Sequence, residues 1–184
     1  MTALSAADRA ALLGIARGAI LAHLGGRPPP PLPAAGPLAE PRGAFVTLHA
    51  QGELRGCIGS FEPTGTLART VADLAVASAT RDPRFPPLRE DEVAALAVSV
   101  SVLGPRRPLP EPRAVRVGVD GLSVKSGWHR GVLLPGVAAL HGWDAEEFLK
   151  HVCLKAGLHA RAWQEPGIEL STFEAEEFGE EPTA

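Results

Sequence analysis

Apolar side chains spaced three or four residues apart predict amphipathic helices in four parts of the chain. The predicted helices cover residues 6–24, 67–80, 135–140 and 145–156. Each of the three longer helices follows a residue whose side-chain oxygen is suited to accept a hydrogen bond from the first turn, as N-cap residues do. The candidate caps are Ser5, either Thr64 or Thr66, and Asp144.

Alternating apolar and polar side chains predict short strands between these helices. The predicted strands are 44–49, 53–59, 96–103, 115–119, 122–125, 131–134 and 168–173. Short Gly-containing connections predict hairpins at 50–52 and at Asp120-Gly121, and the alternation of Val and Ser in 96–103 indicates a half-buried strand. Because hairpins outnumber strand–helix–strand units, we expect an α+β fold whose largely antiparallel sheet is flanked by helices.

Prolines divide the chain at places where neither a helix nor a sheet ladder can form. Residues 27–41 contain seven prolines and are predicted to be an extended connector. Residues 81–88 and 104–112 are predicted to be irregular for the same reason. A chain of 184 residues has the size of one compact domain, so we expect a single domain over residues 1–184 that includes the connector.

Charge and hydropathy argue against several classes of protein. The net charge is −3, whereas nucleic-acid-binding domains are usually basic, so nucleic-acid binding is disfavoured. No segment approaches the ~20 apolar residues of a membrane span, and the first residues lack the features of a signal peptide. We therefore expect a cytoplasmic protein without a membrane segment. Its two cysteines, Cys57 and Cys153, are expected to be reduced thiols.

The sequence motifs of common cofactor and metal sites are absent. The chain has no GxxxxGK loop, no GxGxxG fingerprint, no HExxH or CxxC pair and no GxSxG elbow. Its six histidines lack the spacing of paired metal ligands. We therefore expect no bound cofactor and no metal.

The segment 54–59, with the sequence LRGCIG, combines a cysteine with an arginine and two glycines. On a regular strand Arg55 and Cys57 point to the same face, about 6.5–7 Å apart, and a guanidinium at that range favours a reactive thiolate. Gly56 and Gly59 permit close approach of a ligand or of another backbone. Three interpretations of Cys57 stay open at this point: a buried packing residue, a reactive thiol or a ligand contact.

A second candidate is the proline-containing segment 81–88, which carries Arg81, Asp82 and Arg84. Two arginines on a rigid loop can hold a phosphate or a carboxylate at little ordering cost. The alternative is an Arg–Asp pair that only fixes the loop while Phe85 anchors it in the core. For Cys153, which lies beside the core face of a predicted helix, packing is the favoured interpretation.

Several blocks of sequence, taken in order, resemble the AMMECR family, whose microbial members include the A component of the AmmeMemoRadiSam system. The blocks are residues 44–48, 54–59, 82–88, 100–103, 133–135, 142–144, 147–149 and 153–158, followed by Trp163. The resemblance extends over about residues 44–178. It implies an α+β fold of two unequal lobes around an antiparallel sheet, with a cleft between the lobes and the Arg-Gly-Cys segment near that cleft.

The resemblance also implies which residues form the site. Cys57 is then the candidate catalytic residue, and the candidate ligand-binding residues are Arg55, Gly56, Gly59, Asp82 and Arg84. Two positions depart from the family pattern: Asp120 stands where the family tends to have His, and Gly136 where it tends to have Gln. Any catalytic role of that His or Gln is therefore in doubt for this chain.

The resemblance implies no particular reaction and leaves open whether the protein is an enzyme. Three functional hypotheses therefore stay open. The first is a small-molecule- or anion-binding enzyme or enzyme accessory that uses segment 54–59 and a small anionic ligand. The second is an interaction module that acts with Memo-like and radical-SAM proteins, which the resemblance implies as genomic neighbours. The third is a nucleic-acid-related role, which the acidic net charge disfavours.

Overall fold

Two four-stranded sheets, each within its own unit of the chain, organise residues 3–181, which this computed structural model describes. The first unit combines the described residues up to Leu103 with those from Glu176 onward. The second unit, Gly104–Ala175, is therefore inserted between two parts of the first. The single domain over residues 1–184 stays a prediction, as does the cleft that the resemblance implies.

The described residues form four α-helices and eight strands. The helices are α1 (Ala6–Leu24), α2 (Leu67–Thr80), α3 (Pro135–His141) and α4 (Ala145–Lys155). The strands are β1 (Ala44–Ala50), β2 (Glu53–Ser60), β3 (Leu96–Leu103), β4 (Arg107–Pro108), β5 (Gly121–Ser126), β6 (His129–Leu133), β7 (Glu169–Phe173) and β8 (Ala175–Gly179). Short 3₁₀ helices occupy Pro37–Ala39, Glu90–Ala95, Pro112–Ala114 and Ala162–Gln164. All four predicted helices are confirmed to within one residue at each end.

The longer helices begin at side chains that satisfy their first turns. The Ser5 hydroxyl accepts a hydrogen bond from the Asp8 amide at 3.1 Å, and the Asp8 carboxylate accepts one from the Ser5 amide at 3.0 Å. Thr66 caps α2, whereas the hydroxyl of Thr64 donates to Asp73 at 3.0 Å. Of the two candidate threonines, Thr66 is therefore the cap. Asp144 caps α4 as predicted.

The sheet of the first unit has the strand order β2-β1-β3-β8, and β1 pairs antiparallel with both β2 and β3. One face of this sheet is apolar and packs in a single core with α1 and α2. Val46, Leu48, Val98, Val100 and Val102 on that face are all fully buried. Side chains alternate along a strand, so the intervening residues of β1 and β3 point to the opposite face of the sheet.

The sheet of the second unit has the order β4-β7-β5-β6, with antiparallel pairing throughout. Helix α4 packs against it through Phe148, Leu149 and Val152, which are fully buried. Gly131 in β6 permits this approach, because a Cβ atom there would lie 2.6 Å from the carbonyl oxygen of Val152. The predicted α+β class with largely antiparallel sheets is thus confirmed.

The predicted strand 115–119 and the predicted hairpin at Asp120-Gly121 are both wrong. Residues 117–119 form a turn, and Gly121 begins β5. The buried Asp120 carboxylate accepts hydrogen bonds from the main-chain N–H of Arg116 at 2.9 Å and from its guanidinium at 2.6 Å. Such local side-chain bonding gives the backbone an alternative to a sheet ladder. The hairpin lies instead between β5 and β6, around Gly127 and Trp128.

Strands β4 and β8 have no counterpart among the predicted strands. β4 has only two residues and includes Pro108, and the acidic sequence of β8 does not alternate clearly. Because β8 covers the outer edge of β3, that strand is more enclosed than its Val–Ser alternation indicates. The prediction that β3 is half-buried is therefore wrong: even Ala97 and Ser101, on its polar face, are each only 7% exposed.

None of the helices found within residues 3–181 combines the length and the hydrophobicity that crossing a membrane requires.

Candidate functional site

Two glycines of β2 allow other parts of the protein to pack closely against the strand and fix its position. A Cβ atom on Gly56 would lie 2.3 Å from the carbonyl oxygen of Ser78 in α2, so only glycine fits there without a shift. A Cβ atom on Gly59 would lie 2.1 Å from the ring of Phe45, which covers that position. The space that the two glycines leave is therefore filled by protein atoms, by a backbone at Gly56 and by an aromatic ring at Gly59.

A β-bulge interrupts β2 beside Cys57. Leu48 pairs with Gly56, but the next residue of β1, His49, pairs with Leu54, which leaves Arg55 without a partner in the register. The regular alternation that predicted Arg55 and Cys57 on one face is broken at this point. The Arg55 guanidinium donates to the carbonyl oxygen of Pro86 at 2.9 Å and to Glu92 at 3.3 Å.

The predicted loop 81–88 lies along the open edge of β2 and binds the main chain of Cys57. The Asp82 carboxylate accepts a hydrogen bond from the Cys57 amide at 2.8 Å, and an Arg84 Nη donates to the Cys57 carbonyl at 3.2 Å. Arg84 also donates to Asp82 from Nε at 2.9 Å, from Nη2 at 2.6 Å and from its main-chain N–H at 3.1 Å. We call this interlocked set of Cys57, Asp82 and Arg84 the edge clasp.

Electrostatics keep the edge clasp charged. The Asp82 side chain is only 3% exposed, yet its hydrogen bonds to Arg84 hold the pKa of the Asp82 carboxyl well below its usual range, against the effect of burial. The same hydrogen bonds raise the pKa of Arg84. The Arg84 side chain is 52% exposed, and its Nη1 makes no hydrogen bond within residues 3–181. One end of this guanidinium is therefore held while the other faces solvent.

The Cys57 thiol is half-buried and lies in a row of polar side chains. The Thr47 hydroxyl donates to Cys57 Sγ at 3.2 Å, and the register pairs Cys57 with Thr47 and Thr47 with Ser99 across three strands. The row is on the face of the sheet turned away from α1 and α2. His49 follows on the same face, two residues along β1. A cavity of about 300 Å³ adjoins the row and is lined by His49, Ser99 and Glu180 among others.

Sequence reasoning did not identify Thr47, His49 or Ser99 as members of the site. The turn at 50–52 places Thr47 on the strand paired with Cys57, but Thr47 comes opposite Cys57 only because of the bulge at Arg55, so local pattern does not give this partner. The position of Ser99 depends on β3, which is distant in sequence, so local pattern gives no access to it.

The structure thus brings together Cys57, Asp82 and Arg84 directly, and Arg55 contacts Pro86 of the same loop and Glu92 beyond it. Contacts of these residues with a ligand stay predictions. Of the alternative interpretation of the loop, the Arg–Asp pair is present between Arg84 and Asp82, but Phe85 does not anchor the loop in the core. Phe85 is half-buried, and the Arg84 guanidinium carbon lies 5.4 Å from the centre of its ring. Leu88, only 3% exposed, packs in the core instead.

The remaining residues singled out from the sequence, Cys153 and Asp120, make contacts that stabilise the second unit. Cys153 is fully buried in the core of the second unit, and burial raises the pKa of its thiol, as fits a packing cysteine. Asp120, at the position that departs from the family pattern, is held by Arg116. Within residues 3–181 no three or more His, Cys, Asp or Glu side chains group in a way that could hold a metal ion.

Comparison with known proteins places these observations in a family. A protein of Methanothermobacter thermautotrophicus is 46% identical over 180 residues, which cover 92% of this chain and 93% of that protein. Protein MJ0810 of Methanocaldococcus jannaschii is 43% identical over 149 residues, covering 77% of this chain and 74% of its own length. Among solved structures, the uncharacterised protein PH0010 of Pyrococcus horikoshii superposes with a TM-score of 0.85 and 40% identity, covering 93% of this chain and 90% of that one. The AMMECR1 family model matches residues 13–178, so the chain belongs to the AMMECR1 family.

Proposed function

We propose that the protein is a small-molecule- or anion-binding enzyme or enzyme accessory whose site is the edge of β2. The observation that carries this proposal is the edge clasp, in which a buried carboxylate holds Arg84 beside the half-buried thiol of Cys57. An arginine whose side chain is already ordered loses little entropy when it binds an anion, so it is a prepared receptor for a carboxylate or a phosphate.

Each residue then has a distinct part in the proposed site. Arg84 binds the anionic group through its exposed Nη1, and Arg55, held by Pro86 and Glu92 at the neighbouring bulge, is the second arginine of the proposed site. Cys57 supplies a thiol that can contact or attack the bound molecule, with Thr47 as its hydrogen-bond donor. Within residues 3–181, all the hydrogen bonds that the Asp82 carboxylate accepts come from Cys57 and Arg84, so we assign Asp82 to positioning and not to ligand contact.

The glycines take a supporting part in this proposal. Gly56 and Gly59 set the strand against α2 and Phe45, so any contact they make with a ligand comes from their main-chain groups.

A thermal-shift screen of small carboxylates, phosphates and nucleotides tests the proposal, because a ligand that binds only the folded state raises the melting temperature. We expect at least one anion to raise it in a concentration-dependent manner and to lose most of its effect in Arg84→Gln. The matched control is Arg89→Gln, which removes an exposed arginine that directly follows segment 81–88 and is paired with Asp91. If no anion stabilises the protein, or if both variants respond like the wild type, the proposed anion site does not exist.

A second candidate function, an interaction module, is favoured by apolar side chains that solvent reaches. Trp128 is 97% exposed and Leu140 is 82% exposed, both in the second unit. Under this proposal the chain is a cytoplasmic protein of the AmmeMemoRadiSam system protein A type that binds a Memo-like or a radical-SAM protein. We expect the chain to co-purify with one of these partners and Trp128→Ser to abolish the association. Leu154→Ser, which removes another exposed apolar side chain, is the control and should leave the association intact. If the chain associates with neither partner, this candidate function is wrong.

A further inference from the structure

A groove of about 330 Å³ lies in the first unit between α1, α2 and the proline-rich connector, on residues outside the edge clasp. Its floor consists of small or branched side chains: Ala19 and Ala22 from α1, and Ala72 and Val76 from α2. Small side chains at a helix–helix contact leave space where larger ones would fill it. Cavities of this size, with an apolar floor, are typical of small-molecule sites.

The third wall of the groove is the connector, and it is fixed at both ends. The Arg27 amide donates to the carbonyl oxygen of Ala22 at 2.7 Å, and the Leu67 amide donates to the carbonyl oxygen of Glu40 at 2.8 Å. Between these points Pro30 packs on Gly18, where a Cβ atom would lie 3.3 Å from the proline ring. Prolines restrict the backbone, so this wall is ordered before any ligand arrives.

The rim of the groove is positively charged at one end. Arg27 is neutralised by Glu90, and Arg69 by Asp73. A second cavity shares His23, Asp73 and Val76 with the first and extends to Arg81, so the two cavities adjoin. The exposed Arg81 guanidinium makes no ion pair with any residue in the described part of the chain. The groove therefore combines an apolar floor with the unpaired guanidinium of Arg81 at one end, where the one lining carboxylate, Asp73, is paired with Arg69.

We propose that this groove is a second binding site, for a small amphiphilic anion: an aromatic or aliphatic body that lies on the alanine floor, with a carboxylate, phosphate or sulfonate at Arg81. The apolar body is recognised by burial against Ala19, Ala72 and Val76, and the anionic group by the unpaired guanidinium. The site is independent of the proposed function, because neither Cys57 nor Arg84 lines it.

Two fluorescent probes test both parts of the proposal. 8-Anilinonaphthalene-1-sulfonate has an aromatic body with one negative charge, and N-phenyl-1-naphthylamine is its uncharged analogue. We expect saturable, one-to-one binding of the sulfonate to the full chain, several-fold tighter than binding of the neutral analogue and weaker at high salt. In ¹⁵N-resolved NMR, the sulfonate should shift the amide signals of Ala19, Ala72 and Val76.

The variants separate charge from shape. Arg81→Gln should weaken sulfonate binding several-fold, while Arg130→Gln, which removes another exposed arginine that has no ion pair within residues 3–181, should leave it unchanged. Ala72→Leu should abolish it by filling the floor. The proposal is overturned if the amide shifts fall only on residues 54–59, if both probes bind equally well, or if the two arginine variants behave alike.

Discussion

Cys57 and Cys153 are the two thiols of the chain, and their surroundings predict different reactivity. Cys153 is fully buried, whereas Cys57 is half-buried and accepts a hydrogen bond from Thr47 at 3.2 Å. Since the thiolate is the reactive form and must be reached by the reagent, we expect iodoacetamide to alkylate Cys57 in the folded protein. Cys153 should be modified only after unfolding. Peptide mass spectrometry after timed labelling measures both rates.

Variants of its neighbours show what favours reaction at Cys57. Arg84→Gln removes the guanidinium that donates to the Cys57 carbonyl, and Thr47→Val removes the hydroxyl that donates to Cys57 Sγ, so labelling of Cys57 should slow several-fold in each. Arg130→Gln in the second unit is the control for a general loss of charge. Equal, slow labelling of the wild type and the variants would identify Cys57 as a packing residue.

Gly56 and Gly14 provide a matched pair of Gly→Ala substitutions. At Gly56 a Cβ atom would lie 2.3 Å from the Ser78 carbonyl, whereas at Gly14, which is exposed in α1, it meets nothing within 4 Å. Overpacking of this kind costs about 1–3 kcal/mol, so Gly56→Ala should lower the free energy of unfolding by that amount. Gly14→Ala should raise it by roughly 0.5–1 kcal/mol, because alanine favours the helix. Urea titration measures both, and equal effects would contradict the close approach at Gly56.

Sequence reasoning identified the residues of the edge clasp but not their arrangement. The LRGCIG pattern singles out Arg55 and Cys57, and the proline-rich loop singles out Asp82 and Arg84. The bulge at Arg55 arises from pairing with β1. One of the hydrogen bonds to the Asp82 carboxylate comes from the Cys57 amide, 25 residues away in the sequence. Neither follows from a local pattern, because both are produced by contacts between distant segments.

At the scale of elements, one hydroxyl of helix α2 makes hydrogen bonds to two strands of the first sheet. Ser78 Oγ donates to the carbonyl oxygen of Val46 at 2.8 Å and accepts from the Ile58 amide at 2.9 Å, and Val46 and Ile58 are paired across β1 and β2. Ser78→Ala should leave both groups without this partner and cost about 1–3 kcal/mol of unfolding free energy. Thr80→Ala, which removes only a bond within α2, should cost far less. Similar losses in urea titrations of the two variants would contradict the joining role.

The helices were more predictable than the strands of the second unit. Ser5, Thr66 and Asp144 each satisfy a first helical turn locally, so caps and spacing are readable from sequence. By contrast, Arg116 and Asp120 form a local ion pair that replaces the strand that the apolar pattern of 115–119 predicts. The charge pair outweighs the hydrophobic alternation there, and no count of apolar positions reveals it.

At the scale of the whole molecule, three carboxylates that are at least partly buried have lowered pKa values and link stability to pH. Hydrogen bonds to Arg84 lower the pKa of Asp82. At Asp120 and Glu180, burial acts to raise the pKa but is outweighed by hydrogen bonds to arginine and to main-chain amides. A carboxylate with a lowered folded-state pKa stabilises the protein above its unfolded pKa, and that stabilisation is lost as the pH falls. We therefore expect the free energy of unfolding to decrease steadily from about pH 5 downward.

Asp82→Asn separates the contribution of the edge clasp from the rest of this pH dependence. The variant should be less stable than the wild type at pH 7, and the gap should narrow as the pH falls below the unfolded-state pKa of Asp82, because only the unfolded wild type takes up a proton at this residue. Chemical denaturation at pH 7, 5 and 3 measures the difference. A gap that does not change with pH would show that the charge of Asp82 is not linked to folding.

The insertion of Gly104–Ala175 between β3 and β8 has a consequence for biosynthesis. When Leu103 leaves the ribosome, three of the four strands of the first sheet exist, and β3 has an open edge. Its last strand, and the Glu180 carboxylate that binds Arg17 and the Val98 amide, are translated only after the second unit. Translation of the second unit is finished before that of the first. During this time the β3 edge of the nascent first unit has no partner strand, and such unpaired edges promote aggregation. Arrest of translation before residue 175 should therefore yield chains that bind chaperones through the first unit.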